Sequence, residues 1–92
     1  RLEFLCRDDP PELTEEEKNR CTYLSLSCWW GMQGLFEQWR LGVLPDETWA
    51  SWRRVICLNW ARPWERRLLT EMSQFDSTFV AMVESCDAEG PG

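Results

Sequence analysis

The sequence predicts an all-α fold, a compact bundle of three to four helices. Three observations carry that expectation. Apolar residues recur at steps of three and four in successive segments, the spacing of one face of a helix. No segment alternates apolar and polar residues over a sustained stretch, and no Asn-Gly or Asp-Gly pair marks a hairpin. Proline and glycine fall between the periodic runs, where they end one helix and open the next.

The elements follow in order. Residues 1–11 read as the end of a preceding helix or a linker: Leu2, Leu5 and Cys6 are helically spaced, and Pro10 and Pro11 stop the run. Thr14 and Glu17 have the spacing of a capping box, and Glu15, Glu16 and Glu17 suit the positive end of a helix dipole. The run Cys21, Leu24, Cys28, Met32, Leu35, Trp39 then predicts the core stripe of a long helix over about residues 14–41. Tyr23, Leu26, Trp30 and Phe36 widen that stripe, so burial on more than one side is expected. Gly31 and Gly34 cost helix propensity and are expected to admit a close neighbour or an indole ring. Gly42 is placed as a helix stop.

Pro45 is placed as the first residue of a second helix, about 45–60, with Asp46 and Glu47 behind it. Trp49, Trp52, Ile56 and Trp60 form its stripe. Pro63 opens a third helix, about 63–73, with Trp64, Leu68 and Met72 inward. Asp76 caps a fourth, about 77–86, lined by Phe79, Met82, Val83 and Cys86. Residues 87–92 read as a flexible polar tail. At 92 residues the chain has room for a single domain.

Composition excludes several function classes. There is no histidine, so Ser-His and Cys-His nucleophile pairs, His-ligated zinc and a haem histidine are all absent. No GxGxxG, P-loop or GxSxG motif occurs. The net charge of −6 argues against nucleic acid as a partner, because phosphate binding needs a basic surplus. No catalytic, cofactor-binding or metal-binding residue is nominated, no cofactor is implied, and the chain is not read as an enzyme. No run approaches the ~20 apolar residues of a membrane span.

Five cysteines are present, and none forms a CxxC pair. On one helix Cys21 and Cys28 would lie about 10.5 Å apart along the axis, too far for a disulfide. The cysteines are therefore expected to be buried, reduced thiols in a reducing compartment.

Seven tryptophans and nine arginines supply the remaining signal. Most tryptophans are expected in the core. Trp29 and Trp30 diverge by about 100° on a helix and cannot share one face, so one of them is expected at the surface. The basic residues gather between two acidic ends. The candidate partner contacts are thus Trp29 or Trp30 together with Arg53, Arg54, Arg66 and Arg67, in a protein–protein interaction module. The alternative is a small-molecule sensor with a tryptophan-lined pocket.

Residues 34–68 followed by Phe75–Ser85 resemble a group of small, uncharacterised bacterial proteins. In that group a helix ends in a phrase like YRxGLIDEExW, a second helix carries spaced aromatics, and the chain closes on a segment like FSPEFxxFVDE. The counterparts here run from Trp39 to Trp49, then Trp64, then Phe75 to Glu84, and Asp9 to Leu13 is similar to the group's DPEL. The cysteines and the Trp29-Trp30 pair depart from the pattern. The resemblance implies a helical domain in the cytoplasm, often tethered by membrane-spanning helices upstream. With Arg1 in place of an initiator Met, it carries an expectation of a tether before Arg1 and a place at the inner face of the membrane. It implies no site residues.

Overall fold

The computed structural model describes residues 12–71 and 74–89. Four α-helices follow one another: α1 (Glu15–Arg40), α2 (Asp46–Trp60), α3 (Pro63–Glu71) and α4 (Ser77–Glu84), and a 3-10 turn (Ser85–Glu89) closes them. No strand occurs among the described residues. The expected segment 1–11, together with Met72 of the third helix, lies outside them. No helix among the described residues is long and apolar enough to cross a membrane.

The start of α1 is set by its own side chains. Thr14 Oγ1 accepts from the Glu17 amide at 3.1 Å, and Glu17 Oε1 accepts from the Thr14 amide at 3.0 Å, which completes the capping box. Its end is set by Gly42, whose φ is +80°. The Gly42 and Val43 amides donate back to the carbonyls of Trp39 and Gln38, the two bonds of a Schellman motif. At 26 residues and 1.5 Å per residue, α1 is about 39 Å long. It accounts for nearly all of the molecule's 42 Å long axis.

The buried face of α1 differs from the expected stripe. Cys21, Ser25, Leu26, Trp29 and Phe36 are buried, whereas Tyr23, Leu24, Cys28 and Trp30 are exposed. The two alternatives differ by a rotation of less than one residue step, and counting apolar positions does not separate them. Area does: an aromatic ring buries far more surface than a thiol or a single leucine, so Trp29 and Phe36 turn the helix. Gly31 and Gly34 face open space, and the expected close neighbour is not there.

In α2, Trp49, Ile56 and Trp60 are buried and Trp52 is not. Three residues advance a helix by 300°, which leaves Trp52 about 60° off the line of Trp49 and at the margin of the face. Pro45 is the N-cap, with extended backbone, and the first helical residue is Asp46; the proline was expected one position further in. Pro63 opens α3 as expected. Asp76 caps α4 through its carboxylate, which accepts from the Thr78 amide at 2.8 Å.

The core lies between these elements. Trp29, Ile56, Phe79 and Val83 are fully buried, with Phe36, Trp49, Trp60 and Leu69 around them. The rings meet in tilted and edge-on arrangements, Trp29 against Phe79 and Phe36 against both Trp49 and Phe79, the geometries that ring quadrupoles favour. A smaller cluster joins Leu13 and Cys21 to Trp64. Glu65 is a buried carboxyl side chain that the sequence did not announce. Its Oε2 accepts from Asn59 Nδ2 at 3.2 Å.

The cysteines overturn the expectation of reduced thiols. Cys57 and Cys86 form a disulfide, with 5.5 Å between their Cα atoms. Cys21 is disulfide-bonded as well. Cys28 is a free, exposed thiol. The expectation of a reducing compartment rested on reduced thiols and loses that premise, since structural disulfides persist in oxidising surroundings. Packing is the physical reason that the sequence misled: α4 lies on α2, which sets the turn after α4 beside the last turn of α2.

Candidate functional site

Two tiers of arginine surround α2, and the fold treats them differently. Arg66, on the first turns of α3, is held on three sides. Its guanidinium makes a fork of two hydrogen bonds to Asp87, Nη1 to Oδ2 at 3.0 Å and Nη2 to Oδ1 at 2.8 Å. The same group lies 4.3 Å from the centre of the Trp60 ring, within cation–π range. Trp60 Nε1 in turn donates to Asp87 Oδ1 at 3.1 Å. One carboxylate therefore fixes both the cation and the ring beneath it. The hydrogen bonds from Arg66 hold the Asp87 carboxyl below the usual carboxylate range, with the Trp60 N–H and the arginine charge acting in the same direction. The guanidinium is raised from its ordinary value by the same bond.

Asp87 stands in the 3-10 turn, inside the stretch expected to be a flexible tail. Asp87 is held there by Arg66 and Trp60, and the two residues before the stretch are held as well. Cys86 is stapled to Cys57, and Ser85 Oγ accepts from Arg53 Nη2 at 3.2 Å. Arg53 and Arg66, both expected as partner contacts, are thus engaged within the chain by Ser85 and Asp87, the residues on either side of Cys86. Arg67 lies 5.3 Å from the centre of the Trp64 ring.

Arg54 and Arg62 form the other tier. Arg54 donates to Ser51 Oγ at 3.3 Å. Neither arginine has an acidic partner among the described residues. Between and beside them the outward face of α2 carries Trp52, Val55 and Leu58, at 41 %, 44 % and 67 % exposure. Arg54 sits one turn from both Cys57 and Leu58, at i+3 and i+4, so the unpaired tier borders the stapled one.

Of the expected tryptophan pair, Trp29 is fully buried and Trp30 is exposed. Burial removes Trp29 from the candidate contacts. Trp30 still rests on Phe75, 6.0 Å between ring centres. The seven tryptophans do not surround one space. Trp29, Trp49 and Trp60 belong to the main core, Trp39 stacks on Trp49 at 5.1 Å, and Trp64 serves the smaller cluster. Two of the polar ring edges tie elements together: Trp39 Nε1 donates to Asp46, and Trp64 Nε1 donates to the buried Ser25. Among the described residues no group of three or more acidic or cysteine side chains could hold a metal ion.

Sequence reasoning nominated Arg54 but not Arg62, and it missed Trp52, Val55 and Leu58 as a unit. The available signal was Leu58 itself, an apolar residue about 160° from Ile56 on the helix and so on its opposite side. Comparison with protein-family models, curated proteins and solved structures finds no match to this chain.

Proposed function

We propose that this domain is a protein-binding module whose contact face is the outward side of α2. The observation that supports it is the grouping of Trp52, Val55 and Leu58, exposed within two turns, beside Arg54 and Arg62. Large apolar side chains scattered singly need no explanation, but a cluster rimmed by charge marks an interaction surface. Tryptophan and arginine are also the residues on which interface energy concentrates. Among the described residues neither arginine has a carboxylate partner, although the chain holds sixteen acidic residues. The partner that fits therefore offers apolar side chains flanked by carboxylates. The proposal assigns the domain no reaction.

The test is affinity capture with the wild-type domain, Leu58→Asp and Trp30→Ala. Leu58→Asp is expected to lose the wild-type partners at least tenfold, with unchanged helical circular dichroism, while Trp30→Ala keeps them. Retention of every partner by Leu58→Asp overturns the proposal.

A further inference from the structure

We infer that the turn Ser85–Glu89 is a redox-releasable strap, which masks the arginine tier next to the contact face while the Cys57–Cys86 disulfide is closed. The inference rests on the protein-binding reading of α2 and adds its regulation.

Three successive residues of the strap each hold a different group. Ser85 takes Arg53, Cys86 is bonded to Cys57, and Asp87 takes Arg66 together with the Trp60 ring edge. The carboxylate of Asp87 occupies the guanidinium fork in the way an acidic partner would. The covalent tie makes this occupation local, so that an outside carboxylate competes against an effectively intramolecular one. Cys86, which the disulfide ties, is seated in the main core. The ion pair beside it lies largely in water, with Arg66 and Asp87 42 % and 53 % exposed, and exposed pairs of this kind contribute little on their own. The disulfide, which keeps Cys86 seated, is therefore the strongest single tie on the strap.

Opening requires a dithiol reductant. Its thiolate attacks the Cys57 sulfur, the less buried of the two, and the Sγ–Sγ bond breaks to leave Cys86 as a thiolate that takes up a proton. The second thiol of the reductant then resolves the mixed disulfide and releases Cys57 as a thiol. Two electrons and two protons pass to the protein, and the reductant leaves as a disulfide. Once untied, the strap can leave Arg66, whose guanidinium fork is then open to an outside carboxylate. The basic tier bordering Arg54 then extends the surface available to an acidic partner.

The experiment uses a fluorescein-labelled amphipathic peptide of leucine and glutamate as the probe, titrated into four proteins. These are the oxidised wild type, the same chain reduced with dithiothreitol, oxidised Asp87→Asn and oxidised Leu58→Asp. Asp87→Asn keeps the disulfide and an acceptor for the Trp60 N–H, so it tests the mask without untying the fold. Reduction and Asp87→Asn are each expected to tighten the probe at least fivefold. Hydrogen exchange is expected to quicken at amides 85–89 on reduction while the α1 amides stay protected. If neither treatment tightens the probe more than twofold and Leu58→Asp weakens it, the strap is overturned and the contact face stands. If Leu58→Asp has no effect, the contact face is overturned, and the regulatory role falls with it. Exchange that quickens everywhere on reduction overturns the strap as a local device.

Discussion

Asp87 is the charged contact of the C-terminal turn, and its ionisation gives that contact a pH signature. Its folded carboxyl is held below the ordinary value, first by the Arg66 hydrogen bonds. A depressed folded pKa means that the carboxylate's contribution is complete above the unfolded value of about 3.9 and is lost as pH falls through the folded value. Arg66 keeps its proton throughout, so the acid limb belongs to Asp87 alone within this pair. Asp87→Asn is accordingly expected to be less stable than wild type near about pH 7, with the gap narrowing as the pH falls through the folded value of the carboxyl. Denaturant midpoints along an acid pH series check it, and a gap of constant size would show that the charge is irrelevant. Arg66 was legible in the sequence as one of a basic cluster. Asp87 was not, because nothing local distinguishes an acid in a polar C-terminal run from one that chain reversal brings onto an arginine 21 positions away.

At the level of the helices, glycines separate two kinds of position that look alike in sequence. Gly42 has a φ of +80°, a conformation that costs a side-chain-bearing residue about 1 kcal/mol or more. Gly31 and Gly34 lie inside α1 with no atom of the described residues within 4 Å of where a Cβ would stand, so alanine there gains helix propensity of up to about 1 kcal/mol each. Urea unfolding should therefore show Gly42→Ala destabilised and Gly31→Ala and Gly34→Ala stabilised. A loss at Gly31 or Gly34 would mean that something packs against α1 in solution. Helix starts and stops were readable because their causes are local: the Thr14–Glu17 box, Gly42, Pro63 and Asp76 act within a few residues of themselves. The facing of each helix was less readable. Cys21, Leu24 and Cys28 make as regular a stripe as Cys21, Ser25 and Trp29, and only the ring area of Trp29 and Phe36 against Phe79 chooses between them. Ser25 was the harder miss, since its burial is explained by the Trp64 N–H it accepts from another helix.

For the whole molecule the decisive link is the one between α2 and the C-terminal turn. A domain of this size buries a modest share of its unfolded surface and commonly relies on a staple. The Cys57–Cys86 disulfide closes a loop with a sequence separation of 29 and takes in all of α3 and α4. No spacing rule reveals such a pair, because connectivity is a property of the packed chain and five cysteines permit many pairings. A loop of that length lowers the entropy of the unfolded chain by an amount equivalent to about 3.5 kcal/mol. In a chain of this length each kcal/mol moves the melting temperature by roughly 4–8 °C. The paired variant Cys57→Ala with Cys86→Ala is therefore expected to melt at least about 10 °C below the oxidised wild type while remaining helical at 25 °C. Dithiothreitol should lower the wild type by at least as much, because it also opens the bond at Cys21. Melting within about 3 °C of wild type would place the stability of the bundle in the aromatic core alone. A fall of the expected size with helix intact at room temperature is the condition under which the C-terminal turn can be untied without unfolding the rest.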